Sequence, residues 1–411
     1  MTPNQSTTCA IAGGGPAGMI LGLLLARAGV EVTVFEKHTD FLRDFRGDTV
    51  HPVTMRLLDE LGLYPRFAAL PQSKFEKLEF QINGRQVTFL DFRRLHQPHR
   101  YMALVPQWDL LNLLAAAGKN EPTFTLRMQT EVTGLLHDGD TITGVRYQGP
   151  DGPGELSADL TVGCDGRTST VRREAGLTAR EYPVPFDVGW FRLDSKAEVK
   201  YRLTPRTSPS LTLVLIPGEG YFQAGCFLPK GGEQQLHARG FDTFRAEVAE
   251  LVPEASVQNL KSWDDVKVLD VRVNRLRRWH RKGLLCIGDA AHAMSPVGGV
   301  GINLAIADAV ATARILADPL LNHRLTTRDL AAVHRRRNLP AAVTQGVQQV
   351  LQRVLPVVLR GEIKQPPPII TNAAARLFGW IPSLAVIPAY AIGVGLRPEH
   401  APQFARRAES S

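Results

Sequence analysis

A glycine pattern near the N-terminus limits the fold of this chain more than any other feature. Gly13, Gly15 and Gly18 separate a short apolar run from an Ala- and Leu-rich stretch, and an alternating apolar run then ends at Glu36. This order predicts a β-α-β unit in which the glycines permit a tight turn, close approach of a pyrophosphate and close packing of helix on strand. The helix N-terminus would bind the phosphates, and Glu36 would accept hydrogen bonds from a ribose. Dinucleotide binding is therefore expected, since strand, helix and acidic residue all agree.

Two further motifs follow apolar, strand-like runs. Residues 160–164 lead into Asp165-Gly166, and residues 284–287 lead into Gly288-Asp289 and a loop before a helical stretch. An Asp-Gly turn alone is ordinary. With all three motifs present, we expect a single ligand bound by segments from both ends of the chain.

Together the three motifs resemble those of the group A flavoprotein monooxygenases, the para-hydroxybenzoate hydroxylase family, over roughly the first 320 residues. The resemblance implies FAD as cofactor, with Asp289 holding the ribityl chain and Asp165 serving both FAD and the nicotinamide donor. It also implies that Pro296, Gly299 and Gly301 lie along the flavin edge, where a helix N-terminus would favour the negative charge of reduced flavin. Glycines would let the backbone approach the ring there.

The cofactor-binding residues expected from the motifs and the resemblance are Gly13, Gly15, Pro16, Ala17, Gly18, Glu36, Lys37, Arg46, Gln107, Asp165, Gly288, Asp289, Pro296, Gly299, Gly301, Ile302 and Asn303. For Gln107, a helix-capping role is the alternative. Asp308 also matches the family pattern, with a cap or core contact as its alternative. His292 is expected to be a structural histidine bonded to the backbone, with participation in the chemistry as its alternative. No catalytic base is identified, and no metal site is expected.

The expected fold is α/β, with a dinucleotide-binding FAD domain of the glutathione-reductase type, an inserted mixed β-sheet substrate domain and a C-terminal helical segment. The FAD domain is predicted to be discontinuous, from residues 1–74, 101–183 and 280–325. Residues 75–100, with a hairpin turn at Asn83-Gly84, and residues 184–279 are assigned to the substrate domain, and residues 326–411 to the C-terminal region.

The resemblance implies an FAD-dependent monooxygenase that uses NADH or NADPH and O2 to hydroxylate a small aromatic or other electron-rich substrate through a flavin C4a-hydroperoxide. No second complete glycine unit occurs in residues 169–411, so a separate NAD(P)H domain is not expected. Aromatic residues on strand-like segments are candidates for the substrate wall, with core packing as the alternative for each: Trp190, Phe191, Tyr221, Phe222 and Phe227.

Two other functions remain open from the sequence. The first is a membrane-associated hydroxylase or reductase of a quinone or isoprenoid lipid, because residues 377–396 are 20 residues without a charge. Prolines and glycines interrupt that stretch, so a helix packed on the protein or on a partner subunit explains it as well. The second is a binding protein that kept the dinucleotide fold and lost turnover.

Composition limits the kinds of binding partner and the cellular location that we expect for this protein. The net charge of +8 is spread along the chain, which argues against nucleic acid, and the basic run 272–282 is either a solvated face or a surface for an anionic reductant or a membrane. The four cysteines stand singly in apolar runs, which indicates buried reduced thiols. The N-terminus has no signal-peptide pattern. A cytoplasmic protein is expected, with peripheral membrane contact as the alternative, and either a monomer or a homodimer.

Overall fold

The computed structural model describes residues 5–42, 47–82, 85–195, 205–218, 220–359 and 385–408. Its strands are β1 (Ser6–Ala12), β2 (Val32–Phe35), β3 (Gly47–Val50), β4 (Ser73–Phe75), β5 (Lys77–Ile82), β6 (Arg85–Asp91), β7 (Met102–Pro106), β8 (Phe124–Arg127), β9 (Glu131–Asp138), β10 (Thr141–Gly149), β11 (Gly152–Gly163), β12 (Ala179–Tyr182), β13 (Phe186–Asp194), β14 (Pro205–Thr207), β15 (Thr212–Gly218), β16 (Tyr221–Pro229), β17 (Lys267–Leu269), β18 (Val273–Leu276), β19 (His280–Arg281) and β20 (Leu284–Cys286). Its helices are α1 (Pro16–Arg27), α2 (Pro52–Glu60), α3 (Tyr64–Ala68), α4 (Gln107–Gly118), α5 (Thr170–Glu174), α6 (Glu233–Ala238), α7 (Phe241–Leu251), α8 (Asp289–His292), α9 (Gly301–Leu321), α10 (Thr327–Leu359) and α11 (Val386–Gly393).

The largest sheet is built around the predicted N-terminal β-α-β unit. Its parallel strands lie in the order β20, β11, β1, β2, β8, and β9, β10 and β19 extend it by antiparallel pairing. Every residue of β2 is buried, as expected of a parallel strand covered on both faces. Helix α1 is also almost entirely buried, because it packs against both α4 and α9. This layer forms the main hydrophobic core.

The second large sheet is antiparallel and has the strand order β14, β15, β16, β13, β17. Successive side chains of a strand point to opposite faces. One face therefore packs on α7, where the rings of Phe191 and Phe244 lie 5.6 Å apart and Phe222 is buried in the same cluster. The other face carries the neighbouring residues of the same strands, including Trp190 and Phe227.

Three small sheets complete the β structure of the described residues. Strands β3, β7 and β4 form the first, β5 and β6 the second, and β12 and β18 the third. The predicted hairpin turn Asn83-Gly84 lies outside the described residues. In the described part of the chain, β5 and β6 pair only with each other, so the assignment of residues 75–100 to the substrate domain stays a prediction, as do the other domain boundaries. Helix α11 packs beside this pair, with Gly393 directly against the ring of Phe92.

The helical character predicted from residue 326 onward is present in α10. After α11, residues 394–408 form a C-terminal strap that lies against α1 and α2. The backbone N–H of Ala401 donates to Glu60 Oε2 of α2 at 2.6 Å, and Arg27 Nη1 of α1 donates to the carbonyl of Ala405 at 2.9 Å. The strap is therefore held against helices from the start of the chain.

The four cysteines carry no disulfide. Cys9, Cys226 and Cys286 are buried and Cys164 is half-buried. Burial raises the pKa of the Cys226 thiol to about 12. The thiols are thus protonated at neutral pH, as their isolated positions in apolar runs predict.

Candidate functional site

The carboxyl ends of four neighbouring strands carry the predicted cofactor motifs. The strands β20, β11, β1 and β2 are adjacent and parallel. In the same order they lead into Gly288-Asp289, Asp165, Gly13 and Glu36. Since the carboxyl ends of parallel strands lie at one edge of a sheet, segments from both ends of the chain meet there. The expectation of one shared site rests on this strand order.

The three glycines of the first motif differ in how closely other backbone atoms approach them. Gly13 has a φ of +103°, and a Cβ there would lie 2.4 Å from the carbonyl oxygen of Cys164. A Cβ on Gly18 would lie 2.0 Å from the carbonyl oxygen of Gly13, whereas a Cβ on Gly15 would meet nothing within 4 Å. Gly13 and Gly18 are therefore required by close backbone packing. Gly15 faces open space beside the first turn of α1, where helix N–H groups have no intrahelical acceptor.

Glu36 is buried, with 2% of its surface exposed. Its Oε2 accepts from the N–H of Gly14 at 3.1 Å and its Oε1 from the N–H of His38 at 3.0 Å. The carboxylate thus holds the glycine turn to the end of β2. Contact with a ribose stays a prediction for Glu36, as cofactor contact does for the exposed Lys37.

Asp165 caps the short helix α5. Its carboxylate accepts from Ser169 Oγ at 2.5 Å and from the N–H of Val171 at 3.0 Å. Burial raises the pKa of Asp165 in spite of these hydrogen bonds. Gly166 follows with a φ of +82° and turns the chain so that Arg167 points back toward the third motif.

The second and third motifs are joined by an ion pair that the sequence did not predict. Arg167 Nε donates to Asp289 Oδ2 at 3.2 Å, and both side chains are about 30% exposed. Gly288, with a φ of +58°, places Asp289 at the start of α8. Asp289 therefore keeps an accessible carboxylate at the strand edge, as its predicted contact with the ribityl chain requires. The position of Arg167 directly after Asp165-Gly166 is the sequence signal that could have identified it.

The loop before α9 is held by strand β3. Gly298 and Gly299 have φ values of +81° and +60°, and Thr49 Oγ1 donates to the carbonyl of Gly299 at 2.8 Å. A Cβ on Gly299 would lie 1.8 Å from Thr49 Oγ1, so Thr49 requires this glycine even before any cofactor is considered. At Gly301 a Cβ would only touch the side chain of Met294, at 3.6 Å. No steric demand from the described protein explains Gly301, which leaves room for a ligand at the start of α9.

The side-chain amide of Asn303 is taken up by protein contacts. Its Oδ1 accepts from the N–H of His51 at 2.9 Å and from Thr54 Oγ1 at 2.7 Å, and its Nδ2 donates to the carbonyl of Thr49 at 2.8 Å. These bonds tie the first turn of α9 to β3 and α2. Any contact of Asn303 with a cofactor would therefore come from its backbone N–H group, and cofactor contact of Ile302 stays a prediction.

The prediction that His292 bonds to the backbone is wrong. His292 Nε2 lies 2.5 Å from Asp308 Oδ2, and both side chains are buried. The same carboxylate accepts from Arg337 Nε at 2.9 Å. A buried aspartate in an apolar helix requires charged or hydrogen-bonding partners, and these partners come from distant segments that local spacing does not reveal. The core contact for Asp308, one of its two predicted roles, is the one observed.

The resemblance also predicts cofactor contacts for Arg46 and Gln107. Arg46 lies outside the described residues, so its contact with the cofactor stays a prediction. Gln107 begins α4 directly after β7, whose last residue Pro106 pairs with Gly47 of β3. Gln107 is thus next to the strand that contacts the loop before α9.

The candidate aromatic residues divide between two faces of the second sheet. Phe191 and Phe222 are buried in the core beneath α7, so for them core packing is correct. Trp190 and Phe227 are half-buried on the opposite face, where Val297 from the loop before α9 packs in the same apolar cluster. The ring of Phe227 lies 5.2 Å from that of Phe186. Tyr221 is also half-buried, and Arg192 lies 4.3 Å from its ring centre.

The residues at the strand edge fit an extended dinucleotide cofactor. A glycine with open space beside a helix N-terminus suits a pyrophosphate, and the accessible Asp289 suits hydroxyl groups. The uncrowded Gly301 permits close approach of a flat ring. Within the described ranges, no cluster of three or more His, Cys, Asp or Glu side chains could hold a metal ion.

The chain is similar in sequence to FAD-dependent oxygenases. The family described as FAD binding domain matches residues 6–347. The chain is 36% identical over 353 residues to 6-methylpretetramide 4-monooxygenase of Streptomyces rimosus, which covers 85% of this chain and 84% of that protein. It is 30% identical over 314 residues to 12-dehydrotetracycline 5-monooxygenase/anhydrotetracycline 6-monooxygenase of the same species, covering 73% of this chain and 60% of that protein.

The fold is also that of a solved oxygenase. OxyS anhydrotetracycline hydroxylase from Streptomyces rimosus matches with a TM-score of 0.74 and 24% identity, over 97% of this chain and 77% of that one. The second relative is longer, since the chain spans only 60% of its length. The predicted fold class is confirmed, and so is FAD as the cofactor, with NAD(P)H as the reductant. The individual cofactor contacts stay predictions.

Proposed function

Because this chain belongs to the FAD-binding domain family of FAD-dependent monooxygenases, we propose that it hydroxylates an aromatic ring within a polycyclic substrate. The predicted enzyme class, an NAD(P)H- and O2-dependent hydroxylase, is confirmed by the relatives. Neither a lipid-modifying enzyme at a membrane nor a non-catalytic binding protein is favoured by them. The polycyclic nature of the substrate is the part of this proposal that goes beyond the enzyme class.

An apolar cluster shared by the second large sheet and the loop before α9 carries this proposal. Val297, which precedes the glycines at the predicted flavin edge, packs in one cluster with Trp190 and Phe227 of the second sheet. A substrate beside the flavin edge would thus meet flat aromatic side chains. Aromatic surfaces favour stacked or edge-on contact with other rings, and several fused rings would bury more apolar area than one.

The names of two relatives, which refer to pretetramide and tetracycline compounds, support a fused-ring substrate. One is a 6-methylpretetramide monooxygenase and another an anhydrotetracycline monooxygenase. At 36% identity over most of both chains, the first supports a substrate of the same general shape and size. The position of hydroxylation is not part of the proposal.

The protein's own residues bind, orient and exclude water in this proposal. Bound FAD would supply the redox chemistry, taking electrons from NAD(P)H and using them to activate O2. Asp289 and the first turn of α1 would hold the ribityl and pyrophosphate groups. Trp190, Phe227 and Val297 would hold the substrate ring and keep water from the reacting edge.

A matched substrate panel tests the proposal. The FAD-loaded enzyme is given fused polycyclic phenols and single-ring phenols, and NAD(P)H oxidation, hydrogen peroxide and the mass of the product are measured. We expect a polycyclic phenol to accelerate NAD(P)H oxidation, lower the peroxide yield and gain one oxygen atom. Efficient coupling only with single-ring phenols would refute the polycyclic substrate.

A pair of phenylalanines provides the control. Phe227→Ala should raise the KM for the polycyclic substrate and increase peroxide leakage, because it removes a ring from the apolar cluster that also contains Val297. Phe222→Ala removes the same side chain from the opposite face, where it packs under α7. It should lower stability while leaving the fraction of coupled turnover close to that of the parent. Equal uncoupling by both variants would contradict the assignment of Phe227 to the substrate-facing side of the sheet and of Phe222 to the side under α7.

We further propose a cytoplasmic protein without membrane contact. In the described part of the uncharged stretch 377–396, Ala389 is fully buried and the carbonyl of Ile392 accepts from His51 Nδ1 at 2.7 Å. Residues 297–321 are long and apolar enough to span a bilayer, but 61% of their most apolar window is buried, as in a core helix. The full-length protein should stay at the bottom of a flotation gradient with anionic liposomes, and flotation would refute this. Sedimentation would distinguish a monomer from a homodimer, the two oligomeric states that the sequence leaves open.

A further inference from the structure

A buried carboxylate controls the turn that presents Asp289. Asp308, with no exposed surface, lies on α9 beneath that turn. Its Oδ2 accepts from the N–H of Gly288 at 3.2 Å and lies 2.5 Å from His292 Nε2. Both ends of the Gly288–His292 segment are therefore bound to one side chain. Gly288 is in the left-handed region, so a small shift of this turn would redirect the Asp289 carboxylate.

One buried arginine connects Asp308 to the C-terminal strap. Arg337 of α10 is 1% exposed, and its Nε donates to Asp308 Oδ1 at 2.9 Å. Its Nη1 donates to the carbonyl of Arg397 at 3.2 Å and lies 3.6 Å from Glu399 Oε1. The guanidinium thus lies between a carboxylate of the core and one of the strap, and a buried cation needs such partners.

Glu399 is the strap residue that this arrangement depends on. It is 3% exposed and receives a two-point contact from Arg336, with Nε and Nη2 at 2.7 and 2.9 Å. Arg314 of α9 adds a third hydrogen bond at 2.7 Å. Arginines from α9 and α10 therefore converge on one carboxylate from the end of the chain. Planar two-point contacts of this kind fix orientation as well as distance.

We propose that the C-terminal strap is a positioning element for FAD. Glu399, acting through Arg337 and Asp308, holds the Gly288–His292 turn in the conformation that directs Asp289 at the cofactor. Neither Glu399 nor Arg337 is a catalytic residue, since each acts through another side chain. Because coupling between two binding events is reciprocal, FAD binding and strap docking must stabilise each other.

Hydrogen exchange of the full-length protein, with and without FAD, measures how FAD binding affects docking of the strap. We expect FAD to slow amide exchange in residues 394–408 by about tenfold, a typical size for coupling between two sites. Exchange in the strap that is insensitive to FAD would overturn the proposal.

Titration of FAD into matched glutamate variants measures how the strap affects FAD binding. Glu399→Gln should weaken FAD binding by about tenfold and change the visible circular dichroism of the bound flavin. Glu254→Gln is the control, because Glu254 also pairs with an arginine, Arg206 of β14 at 2.6 Å, but in a more exposed ion pair beside the second large sheet. It should leave both measurements unchanged.

A purely structural Glu399 gives a different result. In that case Glu399→Gln lowers the unfolding temperature but leaves FAD affinity and the flavin spectrum at their parental values, and the proposal is wrong. If Glu399→Gln does not fold, Arg336→Gln replaces it, because this variant keeps both Glu399 and Arg337. It should shift FAD affinity and strap exchange in the same direction by a smaller factor, and no shift in either would overturn the proposal.

Discussion

Replacing Gly299 with alanine tests whether close approach to Thr49 sets the loop before α9. The new Cβ would lie 1.8 Å from Thr49 Oγ1 and 2.8 Å from Thr49 Cβ, while φ stays at +60°. A left-handed alanine costs about 1–2 kcal/mol. Overpacking adds about 1–3 kcal/mol, and loss of the bond from Thr49 Oγ1 to the Gly299 carbonyl adds about 1 kcal/mol. We therefore expect Gly299→Ala to lower the free energy of unfolding by about 3–6 kcal/mol.

Two other variants separate these contributions. Gly139→Ala measures only the free-energy cost of an alanine in the left-handed conformation. Gly139 has a φ of +55°, and a Cβ there would meet nothing within 4 Å. It should cost only about 1–2 kcal/mol. Thr49→Ala removes Oγ1, which would lie 1.8 Å from the new Cβ at residue 299, and keeps the Cβ of residue 49, which would lie 2.8 Å from it. Combined with Gly299→Ala, it should recover about 1–3 kcal/mol relative to the sum of the single variants.

The assay is urea unfolding followed by circular dichroism, on FAD-free protein so that cofactor binding does not contribute. Gly299→Ala, Thr49→Ala, their combination and Gly139→Ala are compared under one condition. If the effects of Gly299→Ala and Thr49→Ala simply add, Thr49 is not the reason for glycine at residue 299. If Gly299→Ala costs no more than Gly139→Ala, the crowded geometry of the loop is itself wrong.

Two further predictions follow from charged and titrating groups. Asp289→Ala should weaken FAD binding by roughly 10- to 100-fold, because a charge-assisted hydrogen bond contributes about 1.5–3 kcal/mol; an unchanged Kd in a fluorescence titration would exclude Asp289 as a cofactor ligand. Burial lowers the pKa of His51 from 6.5 to about 4, an effect only partly offset by its hydrogen bond to the carbonyl of Ile392. Between these pH values the unfolded chain binds a proton that the folded protein does not, so stability should fall by up to about 3 kcal/mol as the pH drops from 6.5 to 4. His51→Asn keeps a donor for Ile392 without titrating, and a variant whose stability falls as steeply over that range would contradict this origin.

Local patterns predicted the elements of the site well. The apolar runs around the first glycine motif form β1, α1 and β2, as the sequence predicts. The elements of the β-α-β unit depend on interactions within a few residues, such as turn geometry and side-chain periodicity. The steric role of Gly18 was predicted for the same reason, since its contact with Gly13 lies within one turn.

Partners of buried polar groups could not be predicted in this way. The sequence placed Asp308 in an apolar helix but did not indicate that His292, Arg337 and, through Arg337, Glu399 would surround it. Nor could periodicity decide which of Phe222 and Phe227 lies under α7, because both stand in one alternating strand. The reason for glycine at residue 299 was equally hidden, because Thr49 lies far away in the sequence.

The sequence by itself determined the cofactor class and the β-α-β unit, because glycine turns, acidic strand ends and helix starts are local features whose backbone geometry few other residues permit. Tertiary structure alone decided how these features become a site. The order β20, β11, β1, β2 aligns motifs from both ends of the chain, and burial selects which side chains pair. That selection is physical, since a charged group removed from water must bond to whatever partner the fold brings within reach, however distant in sequence.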